Sequence, residues 1–147
     1  MKEKVARLLS EQLSEWPLAQ TNYQALGAVC VKELHVGGIA YKVQYNPARI
    51  TSSGAKTDAQ SIRARKCFLC AANRPAEQES IAYNNRYEIL LNPYPIFPKH
   101  LTIPDRSHTE QRIEGRIHDM LELAQALPEF TIFYNGPRCG ASAPDHM

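Results

Sequence analysis

Lys66-Cys67-Phe68-Leu69-Cys70 constrains the fold of this chain more than any other stretch. Two thiols separated by two residues can reach one tetrahedral ion from a single tight turn, but they supply only half of its shell. The sequence holds five histidines, and His108 and His146 fall in expected loops where a ligand can swing into place. We read Cys67, Cys70, His108 and His146 as closing on one Zn²⁺. That ion would tie the middle, the late middle and the end of the polypeptide together. His100, at the start of an expected strand, competes as a ligand. A Cys-x-x-Cys pair also serves redox chemistry or half of a nucleic-acid-binding ribbon. No thioredoxin-like βαβ pattern surrounds this one. A net charge of +2 gives no basic patch for nucleic acid.

At 147 residues, with 44% hydrophobic and 22% charged residues, the chain reads as one globular domain with a real core. No run of apolar residues approaches the length of a membrane span. The stretch Met1-Lys2-Glu3-Lys4-Val5 does not open a secretory signal. Four cysteines without such a signal suggest a reducing, cytoplasmic compartment in which thiols hold metal rather than pair.

Apolar residues at Val5, Leu8, Leu9, Leu13 and Trp16 recur at helical spacing over residues 2–16, and Pro17 stops the run. This helix is expected to cover a sheet. Gly37-Gly38 suits a two-residue hairpin turn within 24–46, with Cys30 expected to be buried in the first arm and His35 at the surface. Residues 47–66 read as a mobile loop. Ser53-Gly54-Ala55-Lys56-Thr57 lacks the first glycine and flanking strand of a phosphate loop and is discounted. Strands are expected at 87–92, 100–103 and 130–134. Ser107-x-x-Glu110 is a capping box for a helix over 109–127, with Ile113, Ile117, Leu121 and Ala124 as its buried stripe and His118 beside it. After Tyr134, the small-residue run from Asn135 to Ser142 is a candidate phosphate cradle, because its backbone N–H groups can approach an anion closely.

Four motifs in order resemble the histidine-triad superfamily, in its branch of galactose-1-phosphate uridylyltransferases, dinucleoside polyphosphate phosphorylases and GDP-hexose phosphorylases. Cys67-Phe68-Leu69-Cys70-Ala71-Ala72-Asn73 looks like the uridylyltransferase zinc knuckle. Asn92-Pro93-Tyr94-Pro95 and Lys99-His100-Leu101-Thr102-Ile103-Pro104 look like the superfamily's strand motif. His108 stands eight residues after His100, where zinc-binding members carry a metal histidine. Asn135-Gly136-Pro137, Gly140-Ala141-Ser142 and Pro144-Asp145-His146 resemble the phosphate loop leading into a closing His-x-His-x-Gln motif. The resemblance covers roughly residues 60–147.

The resemblance implies an α+β fold: a histidine-triad-like antiparallel sheet with a long helix on one face. It implies a nucleotidyltransferase or nucleotide phosphorylase acting on a nucleoside di- or polyphosphate or a nucleotide sugar. The second histidine of the closing motif would attack the α-phosphorus to form a nucleotidyl-histidine intermediate. Here Met147 stands one residue before that position, so the chain reads as an N-terminal fragment, inactive by itself. His146 also lies four residues after Ser142, one more than in the relatives. By resemblance, Asn135, Arg138, Gly140, Ala141, Ser142 and His100 would bind the nucleotide and its phosphates. The zinc would be structural, and the spacing ranks His108 ahead of His100 as its ligand. The expected partners are the nucleotide or nucleotide sugar and a second copy or a missing C-terminal half, with neither nucleic acid nor membrane. A non-catalytic, zinc-stabilised nucleotide-binding or interaction domain is the alternative.

Overall fold

The computed structural model describes residues 1–50 and 54–147. Helix α1, Lys2–Glu15, buries Val5, Leu8 and Leu9 along one face. It ends at Trp16, which is extended at φ −103° and ψ 102° because the following Pro17 disfavours the helical conformation there. Pro17 does more than stop α1. It opens a second helix, α2 (Pro17–Gln24), at the first turn, where its missing N–H costs nothing.

Strands β1 (Cys30–Val36) and β2 (Ile39–Tyr45) pair antiparallel, Val36 facing Ile39. Gly37 and Gly38 both take positive φ, +58° and +80°, as the primed two-residue turn requires. Every residue of this hairpin is exposed. The register puts Leu34, Val36, Ile39, Tyr41, Val43 and Tyr45 on one side and Glu33, His35, Lys42 and Gln44 on the other. Cys30 is therefore exposed rather than buried, because the ribbon stands away from the core. His35 is at the surface as expected, 2.9 Å from Glu33.

The expected loop over 47–66 contains regular structure: a 3-10 turn at Pro47–Arg49 and a short helix α3, Ala59–Ala64, capped by Asp58. Part of the discounted phosphate loop, with residues 51–53, lies outside the described residues.

A second antiparallel sheet has the order β3-β4-β5, with β3 Ser80–Tyr83, β4 Tyr87–Leu91 and β5 Leu101–Thr102. Sequence reading missed β3. The β3–β4 connection uses Asn84 and Asn85 at φ 49° and 54°, the left-handed region that asparagine tolerates better than most residues. Beyond β5 the pairing continues as a bridge between Tyr87 and Asp105.

Helix α4 runs from Ile117 to Ala126, not from 109. The expected capping box does not start it. Gly115 at φ +73° breaks helical geometry just before Arg116, and the Thr109 carbonyl is taken by the Met147 N–H at 2.9 Å. The expected stripe is also wrong. Ile117 and Leu121 are 57% and 64% exposed, and Leu123 and Leu127 are the residues buried. Residues 130–134 form no ladder among the described residues, although Phe130 and Ile132 pack on the core and Phe133 turns outward.

The architecture is thus α+β with small antiparallel sheets. Its core joins Val5, Leu8, Leu9, Trp16 and Ala19 from the N-terminal helices to Tyr83, Tyr87, Ile89 and Leu91 of the sheet and Leu123 and Leu127 at α4. Gln12 adds a polar tie, donating to the Glu77 carbonyl at 2.7 Å. No described helix is long and apolar enough to cross a membrane.

Candidate metal centre

The cysteine turn is built locally. Cys70 N–H donates to the Cys67 carbonyl at 3.3 Å, and Asn73 closes the turn with its side chain on the same carbonyl at 2.9 Å. Arg74 anchors the turn to its surroundings: Nε donates to the Leu69 carbonyl, and the guanidinium pairs with Glu88 on β4 in a buried ion pair.

The two histidines come from the middle and the end of the C-terminal half. His108 follows the β5 extension. His146 sits in the closing segment and is 1% exposed. Cys67 Sγ lies 3.2 Å from His146 Nδ1, Cys70 Sγ 3.3 Å from His108 Nδ1, and Cys70 Sγ 3.7 Å from His146 Nδ1. The four ligand atoms all lie within 4.8 Å of one another. Bonds of about 2.0–2.3 Å to a tetrahedral ion space its ligand atoms by roughly 3.3–3.8 Å, so the set fits a metal.

The surrounding groups fix the ligands' orientation. His146 Nε2 donates to the Asp105 carbonyl at 2.8 Å, which leaves Nδ1 with its lone pair toward the thiols. Asp105 is itself held: its N–H donates to the Met147 carbonyl, and its carboxylate accepts from Arg116 at 2.8 Å and Thr109 at 3.2 Å. Arg116 also donates to the Tyr87 hydroxyl at 2.9 Å. On the other side His108 Nε2 is 3.5 Å from Asp145, and Arg65 reaches both Asp145, at 3.6 Å, and the Ser142 carbonyl, at 2.6 Å. The Cys70 thiol is pushed above its usual range by burial and by the neighbouring Cys67. Asp105, Asp145, Arg65 and Arg116 carry no spacing signal in the sequence. Arg65 stands two residues before Cys67 and Asp145 beside His146, whereas Asp105 and Arg116 lie far from the cysteines along the chain and reach the site only through the fold.

His100 does not join the cluster. It is 8% exposed and takes the Ile96 N–H on Nδ1 at 3.1 Å, while its carbonyl accepts from Tyr23 at 3.0 Å. Burial pushes the Tyr23 hydroxyl up to about 12. Of the expected phosphate residues, Asn135, Arg138 and Gly140 are exposed, Ala141 is buried and Ser142 half-buried. Gly140 takes φ +85°, a conformation that suits glycine.

Burial, aided by the Arg49 charge, lowers the His100 pKa from 6.5 to about 4. The unfolded chain therefore takes up this proton near pH 6.5 and the folded chain only near 4, so acidification through that window favours unfolding. The expected loss from this one group is up to about 3 kcal/mol by pH 4. Denaturant midpoints of wild type and His100→Gln across pH 4–7 check it. The difference between the two should narrow as pH falls, and parallel curves would refute the assignment.

The model of the family described as a domain of unknown function (DUF4922) matches residues 8–147, and the chain belongs to that family. No curated protein and no solved structure matches it.

Proposed function

We propose that this member of the family is the metal-stabilised part of a nucleotidyltransferase or nucleotide phosphorylase with a histidine-triad-like fold. The observation that carries the reading is the convergence of Cys67, Cys70, His108 and His146 on one point. These are the residues that the resemblance assigns to a zinc knuckle, a metal histidine and the first histidine of the closing motif. Two thiolates and two imidazoles suit Zn²⁺. With four protein ligands the ion is structural, because no position is left for water or substrate. Its contribution is to pin the closing segment to the cysteine turn and to the Asp105 carbonyl.

The substrate is a nucleoside di- or polyphosphate or a nucleotide sugar. The nucleophile is the second histidine of the closing motif, which the resemblance places two residues after His146. Its ring nitrogen forms a bond to the α-phosphorus, and the bond to the leaving phosphate oxygen breaks with its electron pair. A phosphate or sugar phosphate then takes the nucleotidyl group. The N–H groups around Gly140 and Ala141, with Ser142, Asn135 and Arg138, hold the phosphate oxygens as charge shifts during the transfer.

The test is incubation of the natural, metal-loaded polypeptide with α-³²P-labelled nucleotides. An acid-labile, base-stable protein label that disappears when that histidine becomes asparagine is the expected result. Absence of label with every nucleotide removes the catalytic reading. The exposed apolar side of the β1–β2 ribbon favours a second reading, a non-catalytic metal-stabilised interaction domain, which predicts no label and no turnover.

A further inference from the structure

The turn after β2 carries donors that nothing in the described protein satisfies. Asn46 Oδ1 accepts from the Ala48 N–H at 3.0 Å, and this fixes the amide with Nδ2 pointing away from its own turn. That Nδ2 and Arg49 Nε are both shut off from solvent, and neither has a hydrogen-bond partner among the described residues. Arg49 belongs to no ion pair among the described residues either. Native proteins rarely leave such groups unpaired without a functional reason.

His100 lies near this turn, close enough for the Arg49 charge to act on its ring. Gln44, near the end of β2, donates to the Ile96 carbonyl at 3.2 Å and so ties the ribbon to the loop ahead of His100. Ile96 N–H in turn occupies His100 Nδ1, so the ring proton resides on Nε2, which has no protein acceptor among the described residues. The Asn46 amide and Arg49 guanidinium of one turn and the nearby His100 imidazole N–H thus offer donors and one positive charge. An oxyanion suits such donors, because its oxygens accept several hydrogen bonds and match the arginine fork.

The geometry points to an oxyanion subsite made by Asn46, Arg49 and His100 that takes a phosphate group of the nucleotide. This deepens the nucleotide reading and rests on it for the choice of phosphate over carboxylate. Asn46 and Arg49 lie outside the span of the family-like motifs and are binding residues that the motif reading does not supply.

The experiment titrates the full chain, loaded with metal, with UDP, inorganic phosphate and citrate by calorimetry, and follows the His100 ring by ¹⁵N NMR. UDP or inorganic phosphate should move the His100 Nε2 signal in wild type. Arg49→Gln should weaken that binding at least tenfold with metal content unchanged. Asn46→Asp is the second variant: its carboxylate should occupy Arg49 from within, weakening UDP binding at least tenfold while leaving the fold intact or firmer. UDP binding equal to wild type in both variants overturns the subsite, as does a His100 signal that UDP and phosphate leave in place. Arg49-dependent binding of citrate without phosphate overturns the phosphate assignment. If Arg138→Gln removes UDP binding while Arg49→Gln does not, the nucleotide reading stands and the subsite falls. Arg49-dependent binding of inorganic phosphate without UDP supports the subsite and removes the nucleotide reading.

Discussion

Cys67→Ser should bind metal 100- to 1,000-fold more weakly than wild type and release the closing segment of the chain. Structural zinc in thiolate–imidazole shells contributes roughly 10–16 kcal/mol of binding that is also folding energy, and one ligand's share of that is about 2.5–4 kcal/mol. Cys67 is the buried member of the pair, 3.2 Å from His146, so its loss cannot be relieved by water reaching the ion from outside. Metal stoichiometry by mass spectrometry and amide exchange over residues 139–147 read the two parts of the effect. Retention of stoichiometric, tightly held metal by the variant would remove the cysteine turn from its role. A chelator added to wild type should reproduce the exchange pattern of the variant.

The second large effect is expected at Asp105. Its side chain is 7% exposed and that of Arg116, its partner at 2.8 Å, is 11% exposed. Asp105→Ala leaves the Arg116 guanidinium buried without its carboxylate, and breaking such a pair costs about 3–5 kcal/mol. The Asp105 backbone also accepts from His146 and donates to Met147, so the disturbance should spread to the metal. Urea midpoints and metal affinity should fall together in this variant. The double variant Asp105→Leu with Arg116→Met removes both charges and should recover most of the stability. A loss below about 1 kcal/mol in the single variant would show that the pair is not the support described.

What the sequence revealed of this site and what it hid follow from the range of the interactions. The two thiols are readable because one local turn brings them together, and the glycine pair is readable because a two-residue turn demands positive φ. His146 was placed by its neighbours in the closing motif. The start of α4 was not readable, because a locally sound capping box at Ser107 and Glu110 loses to long-range ties. Thr109 is held by Met147, His108 faces Cys70, and Gly115 breaks the geometry. The residue types over 130–134 suit side chains that meet the core but do not say whether a strand lies alongside, so the expected strand makes no pairing among the described residues. Cys30 reads as buried by composition alone. Its exposure depends on where the ribbon stands, which no window of residues records.

The spacing of the ligands along the backbone has its own consequence. His108 follows Cys70 by 38 residues and His146 follows it by 76, so an ion held by this cluster would divide the C-terminal half into two segments of equal length. A protease that nicks the first segment, at the Asn84-Asn85 bend for instance, leaves Cys70 on one fragment and both histidines on the other. The cut molecule would then migrate as a single particle under native conditions, its halves clasped across the ion as well as through the shared core.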